Sequence, residues 1–235
     1  MNKYYALTTN DSVADVYIFG DITSWEWLES DVSSYTLSKE ISELKDVSQI
    51  NVHINSYGGE VAEGLAIYNS LKNHPAKVVT ICDGFACSAA SVVFMAGDER
   101  IMNNASLLMI HNAWMYTAGN ADQLRKDADD LDTITQASIN AYMERVEIDE
   151  DELKELLDNE TWILPADALE MGFATSIINA SSASEGKAAA SVRAKLFQLV
   201  SQASKPEPQP EPEPEPTPEP KENKTLKFLN ALLGG

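Results

Sequence analysis

The period of the hydrophobic positions switches repeatedly before residue 180. "QINVHINS" (49–56) alternates Ile50, Val52 and Ile54 with Asn51, His53 and Asn55, the two-residue period of a strand with one buried face. "GEVAEGLAIYNSLKN" (59–73) sets Val61, Leu65, Tyr68 and Leu71 three or four apart, which is helical spacing, and Pro75 ends it. The same reading predicts strands over 14–22, 76–84, 106–111 and 173–178. It predicts helices over 33–46, 88–97, 119–146, 149–158 and 165–172. Asn120 opens the long helix, Pro165 opens the last, and Gly97 closes the short apolar one. Strand–helix units in series predict an α/β fold with parallel strands and right-handed crossovers.

Composition changes sharply near residue 180, so the chain divides into a domain over 1–180 and a tail. An Ala/Ser-rich extension with helical character covers 181–204. A Pro-Glu run covers 205–224 and holds eight of the ten prolines. Proline lacks the N–H and fixes φ, so this run predicts a disordered, semi-extended spacer of roughly 3.1 Å per residue. The apolar residues Leu226, Phe228, Leu229, Leu232 and Leu233 follow in 225–235, as a sticky peptide for a partner or a disordered terminus.

With 44% hydrophobic residues among 235, the chain can build one domain with a real core. No apolar run approaches ~18 residues, so no membrane span is expected, and "MNKYYALTTNDS" has no signal-peptide character. The net charge of −20 argues against nucleic acid as a partner, since phosphate contact needs clustered Lys and Arg. Cys82 and Cys87 match no zinc spacing and read as reduced small hydrophobes, so neither metal nor cofactor is expected and a cytoplasmic setting is.

Candidate chemistry gathers at four places. Small residues are massed in "DGFACSAASVVFMAG" (83–97), where Ser88 stands at the mouth of a helix directly behind a strand. Free backbone N–H groups there suit developing negative charge, but an N-cap is the ordinary reason for such a serine. Ser91, one turn inside, is expected to pack or to back-bond to its helix. Of three histidines, His74 sits in a polar turn and reads as exposed, and His53 lies inside a strand and reads as packed. His111 ends the apolar strand "SLLMIH", where a rigid element can hand a side chain to a cleft. "NSYGGEV" (55–61) puts two glycines between strand and helix. That spacing fits a plain turn or a peptide N–H hole better than a phosphate loop.

Taken in order, these segments resemble the motifs of the ClpP-type serine peptidases. Asn-Ser-Pro-Gly-Gly stands as Asn55-Ser56-Tyr57-Gly58-Gly59. Gly-x-Ala-Ala-Ser-Met-Gly-Ala stands as Gly84-Phe85-Ala86-Cys87-Ser88-Ala89-Ala90-Ser91, and Met-Ile-His-Gln-Pro as Met109-Ile110-His111-Asn112-Ala113. A fourth motif, beginning at the family's triad Asp, runs from Glu160 to Gly172. The resemblance covers roughly 14–180 and implies a ClpP/crotonase-like fold whose long helix is the "handle" between rings. Its apolar seam, Leu124, Ala128, Leu131, Ile134 and Ala141, could equally pack on its own domain.

The resemblance implies a serine endopeptidase with Ser88 as nucleophile, His111 as base, and the N–H groups of Gly58 and Ala89 as oxyanion hole. Glu160 aligns with the third triad member, with Asp158 as the alternative. It also implies polypeptide substrates and a homo-oligomeric ring, a heptamer or tetradecamer. No typical axial-loop sequence precedes residue 14, which speaks against an unfoldase ATPase partner. Tyr57 stands in place of the family Pro, a departure from the motif, and the "ETW" after Asn159, followed by a short helix, resembles the phage-encoded head maturation (prohead) proteases. Such a protease would cut capsid or scaffold proteins in the host cytoplasm, or within the prohead. Two other readings stay open: a peptidase-like assembly or scaffolding protein without activity, and a crotonase-like acyl-CoA enzyme.

Overall fold

The structure, a computed structural model, describes residues 7–10, 12–28 and 31–178. The extension, the Pro-Glu linker and the apolar C-terminal segment expected over 181–235 lie outside the described residues, as does the boundary at 180.

A parallel sheet forms the frame. Strands β2 (Val13–Ile18), β3 (Gln49–Ser56), β4 (Lys77–Cys87), β5 (Glu99–Asn103) and β8 (Ser176–Ile178) pair in that order, all parallel. β1 (Leu7–Asn10) adds an antiparallel edge to β2. β6 (Leu107–Ile110) joins the upper end of β4, and β7 (Thr161–Ile163) pairs antiparallel with β6. Val16, Ile18, Val52, Ile54 and Cys82 are buried, and the alternation predicted for 49–56 is the burial pattern of β3 up to Ile54. A mixed α/β fold with parallel strands is therefore present.

Helix α1 (Ser34–Glu43) starts at Ser33, whose hydroxyl accepts from Thr36 N at 3.3 Å. Helix α2 (Val61–Lys72) buries Ile67, Tyr68 and Leu71. The short α3 (Ala89–Phe94) is buried along its whole length. Helix α4 (Ala121–Met143) opens on a capping box between Asn120 and Gln123. Its buried residues, Ser138, Ile139, Ala141 and Tyr142, all lie in its last turns. Of the expected seam, Leu124, Ala128 and Ile134 are exposed and Leu131 is half-buried, so most of it is uncovered within its own chain. Helices α5 (Glu150–Asp158) and α6 (Pro165–Glu170) follow.

The structure differs from the sequence reading in places. The strand expected over 14–22 stops at Ile18, because the chain bends at Gly20; Ile22 makes only isolated bridges, to Val32 and Gly59. β4 does not stop at Gly84. A Cβ there would lie 2.5 Å from Asn55 Oδ1, and that oxygen accepts from Phe85 N instead, so the strand runs past the glycine to Cys87. The β3–β4 register slips at this point, from Ile54↔Cys82 to Ser56↔Ala86, which carries the end of β4 over to β6. β1, β5 and β7 are short strands that the periodicity did not reveal.

His74 is half-buried rather than exposed. Its Nε2 lies 3.1 Å from Leu44 O, and its Nδ1 accepts from Ala76 N, so the ring ties the end of α1 to the start of β4. His53 is packed, as expected, against the Tyr17 ring and 2.7 Å from Asp83 Oδ2. No helix among the described residues is long and apolar enough to cross a membrane.

Candidate active site

β4 and β6 end side by side, Cys87 opposite Met109, and Ser88 N donates to Met109 O at 2.8 Å. The next residues along each strand are brought together at the mouth of α3. There Ser88 Oγ lies 2.8 Å from His111 Nε2. Ser88 does occupy the N-cap position of α3, but its side chain makes no cap hydrogen bond. Its backbone has φ 53° and ψ −126°, a conformation that L residues rarely adopt. A serine held on a sharp strand-to-helix turn presents its hydroxyl outward rather than to its own helix, as in a nucleophile elbow.

A cavity of about 660 Å³ opens over this pair, bordered by Gly58, Gly59, Ala89, Val92, Asn112 and Trp114. The Gly58–Gly59 turn closes against the start of α3. Gly58 has φ +97°, and a Cβ on it would come within 2.5 Å of Cys87 O and 2.9 Å of Ala89 N. The turn is clamped on its other side by Ile22, which donates to Gly58 O at 2.8 Å and accepts from Glu60 N at 2.8 Å. Hydrogen bonds from Ser24 and Thr23 to the Glu60 carboxylate hold its pKa below the ordinary range and fasten the preceding loop.

The expected Gly58 donor is already engaged. Its N–H is donated to Ser56 Oγ at 3.0 Å, and Ser56 Oγ in turn donates to Gly20 O at 2.6 Å. The N–H groups of Gly59 and Ala89 have no hydrogen-bond partner among the described residues. Both residues border the cavity, as does Gly58.

Neither candidate carboxylate meets His111. The imidazole makes its one hydrogen bond among the described residues to Ser88. Asp158 Oδ1 accepts from Asn112 Nδ2 at 2.7 Å and is thereby committed to the neighbouring side chain. Glu160 is exposed, with φ 48°. The β6–β7 register pairs Leu108 with Ile163, Met109 with Trp162 and Ile110 with Thr161. The pairing ends there: Glu160 directly precedes Thr161 in the chain as His111 directly follows Ile110, while Asp158 lies two residues further back.

Cys87, next to Ser88, is no competing nucleophile: burial pushes its thiol up to about 11, and that of Cys82 to about 12. Among the described residues no group of three or more His, Cys, Asp or Glu is placed to hold a metal ion. Ser91 packs and back-bonds as expected: it is buried, its hydroxyl donates to Ser88 O at 2.6 Å, and it also links Tyr142 to the nucleophile turn. Tyr142, which borders the cavity from α4, was not singled out by the sequence for any part in the site. A tyrosine inside a long helical pattern carries no sequence signal of that kind.

Comparison with known proteins agrees with this architecture. The sequence profile of the family described as Clp protease matches residues 31–181. The ATP-dependent Clp protease proteolytic subunit of Deinococcus radiodurans is 32% identical over 133 residues, 56% of this chain and 65% of that protein. The ATP-dependent Clp protease proteolytic subunit 1 of Prochlorococcus marinus is 27% identical over 154 residues, 62% of this chain and 79% of that protein. The chain thus spans just under two thirds of the Deinococcus subunit. It belongs to the Clp protease family.

Proposed function

We propose that the protein is a serine endopeptidase of ClpP type, with Ser88 as nucleophile and His111 as general base. The observation that carries this is the 2.8 Å contact between Ser88 Oγ and His111 Nε2 at the mouth of a cavity, on a serine whose strained backbone frees its hydroxyl. His111 takes the Ser88 proton as Oγ attacks the peptide carbonyl, and returns it to the leaving amine. The oxyanion is met by the N–H groups of Ala89 and Gly59. We assign the orienting of the imidazole through Nδ1 to Glu160, which adjoins the last β6–β7 pair, with Asp158 as the alternative. Water then releases the acyl group by the same route.

The subunit works as a homo-oligomeric ring, in which the uncovered seam of α4 meets other subunits; the exposure of Leu124, Ala128 and Ile134 supports this. The substrates are capsid or scaffold proteins of a phage head, cut in the host cytoplasm or prohead, either independently of ATP or in association with an ATPase. That finer reading is supported by Glu160-Thr161-Trp162 followed by the short helix α6. Incubating the purified chain with the major capsid and scaffold proteins of its virion tests it. Discrete cleavage that Ser88→Ala abolishes is expected. Intact substrates beside rapid hydrolysis of a model peptide would reject the capsid assignment and keep the peptidase.

A further inference from the structure

Ser91 is buried one turn inside α3, and its hydroxyl has two neighbours. Oγ lies 2.6 Å from the Ser88 carbonyl oxygen and 2.8 Å from the Tyr142 hydroxyl. A carbonyl only accepts, so the Ser91 hydrogen goes to Ser88 O. Tyr142 must then donate to Ser91 Oγ. The order is fixed: Tyr142 O–H to Ser91 O–H to Ser88 C=O. Tyr142 is buried with its ring edge-on to Phe173, and burial pushes its phenol pKa up, so the hydroxyl stays protonated.

The Ser88 carbonyl and the Ala89 N–H belong to one peptide group. A planar trans peptide points its C=O and N–H in opposite directions, so fixing one aims the other. The strained dihedrals of Ser88 mean that local sterics do not favour this orientation. It is held from the helix side, where Ser88 O accepts from Ser91 N at 2.9 Å and Val92 N at 3.4 Å, and most closely from Ser91 Oγ at 2.6 Å. The aligned motif carries Ala at the position of Ser91, so the hydroxyl link comes from this chain's own residues.

We infer that Ser91 and Tyr142 are positioning residues that lock the Ser88–Ala89 peptide with its N–H aimed into the cavity. The inference rests on reading Ser88 as the nucleophile and Ala89 N–H as an oxyanion donor. Without the relay the peptide rocks or flips, and the donor is misaimed although substrate still binds.

The test uses the full chain, with Ser91→Ala, Tyr142→Phe and the double variant. Peptide hydrolysis and fluorophosphonate labelling rates are normalised to the folded fraction from thermal melts. Ser91→Ala is expected to lower kcat about tenfold with KM unchanged, less than outright loss of an oxyanion donor. Tyr142→Phe, which keeps the Ser91–Ser88 bond, is expected to lower kcat by a smaller factor. The double variant should match Ser91→Ala alone, because the two hydroxyls act in series. Full kcat in Ser91→Ala, a rise in KM alone, or a difference that vanishes on normalisation overturns the relay while the peptidase stands. A wild-type chain that neither hydrolyses peptide nor takes the probe overturns both.

Discussion

Ser88 Oγ and His111 Nε2 stand 2.8 Å apart because β4 and β6 run parallel and in register up to the Cys87–Met109 pair, after which Ser88 follows the end of β4 and His111 follows Ile110 at the end of β6. Neither residue depends on a loop for its placement. Strand ends on a packed sheet hold side chains more tightly than loops do, which suits a proton transfer that tolerates little misplacement. Ser88→Ala and His111→Ala should each lower kcat by about 10³-fold or more, and the double variant should be little worse than either alone. Steady-state peptide hydrolysis checks this. Additive losses would mean the two residues do not act as a unit.

Two candidate acids can be told apart by substitution. If Glu160 is the third member as proposed, Glu160→Gln should lower kcat about 10²-fold or more, because the imidazole loses the partner that fixes its tautomer. Asp158→Asn should stay within about threefold of wild type, since Asp158 is engaged with Asn112. Kinetics of the two variants side by side decide between them, and the reverse ranking would move the acid to Asp158.

The Gly58 turn has no room for a side chain. Gly58→Ala meets both the positive φ and the Cys87 carbonyl at 2.5 Å, so the turn must shift away from Ala89. A kcat loss of about 10²-fold is expected, with a melting temperature lowered by only a few degrees. Wild-type kinetics in this variant would detach the turn from the chemistry.

Much of this was legible in the sequence, and the reasons differ by element. β3 was readable because its alternation matches a sheet with one buried face, and α2 because its apolar positions recur at helical spacing. β5 and β7, with five and three residues, are too short to show a period and are defined by their neighbours. Ser88 and His111 were legible as residues at element ends. The engaged state of Gly58 was not, because it depends on a Ser56 hydroxyl that could point either way. Nor was the Ser91–Tyr142 link, which joins helices 51 residues apart.

His53 gives a pH signature away from the site. Its hydrogen bond to Asp83, partly opposed by burial, raises its pKa above the usual 6.5. A group raised in the folded state adds stability that is full below the unfolded value and is lost as pH rises through the folded one. NMR titration should therefore place His53 above ordinary imidazoles, with Asp83→Asn bringing it down. The stability gap between wild type and Asp83→Asn should be widest below 6.5 and narrow as pH rises from there through the raised folded value. A His53 midpoint at or below 6.5 would contradict the pairing.

The most direct measurement is mass spectrometry of the intact chain after reaction with a fluorophosphonate. One adduct per chain is expected, on the peptide containing Ser88, and it should be absent in Ser88→Ala and much slower in His111→Ala. An adduct on another serine, or none in a folded, oligomeric sample, would contradict the account.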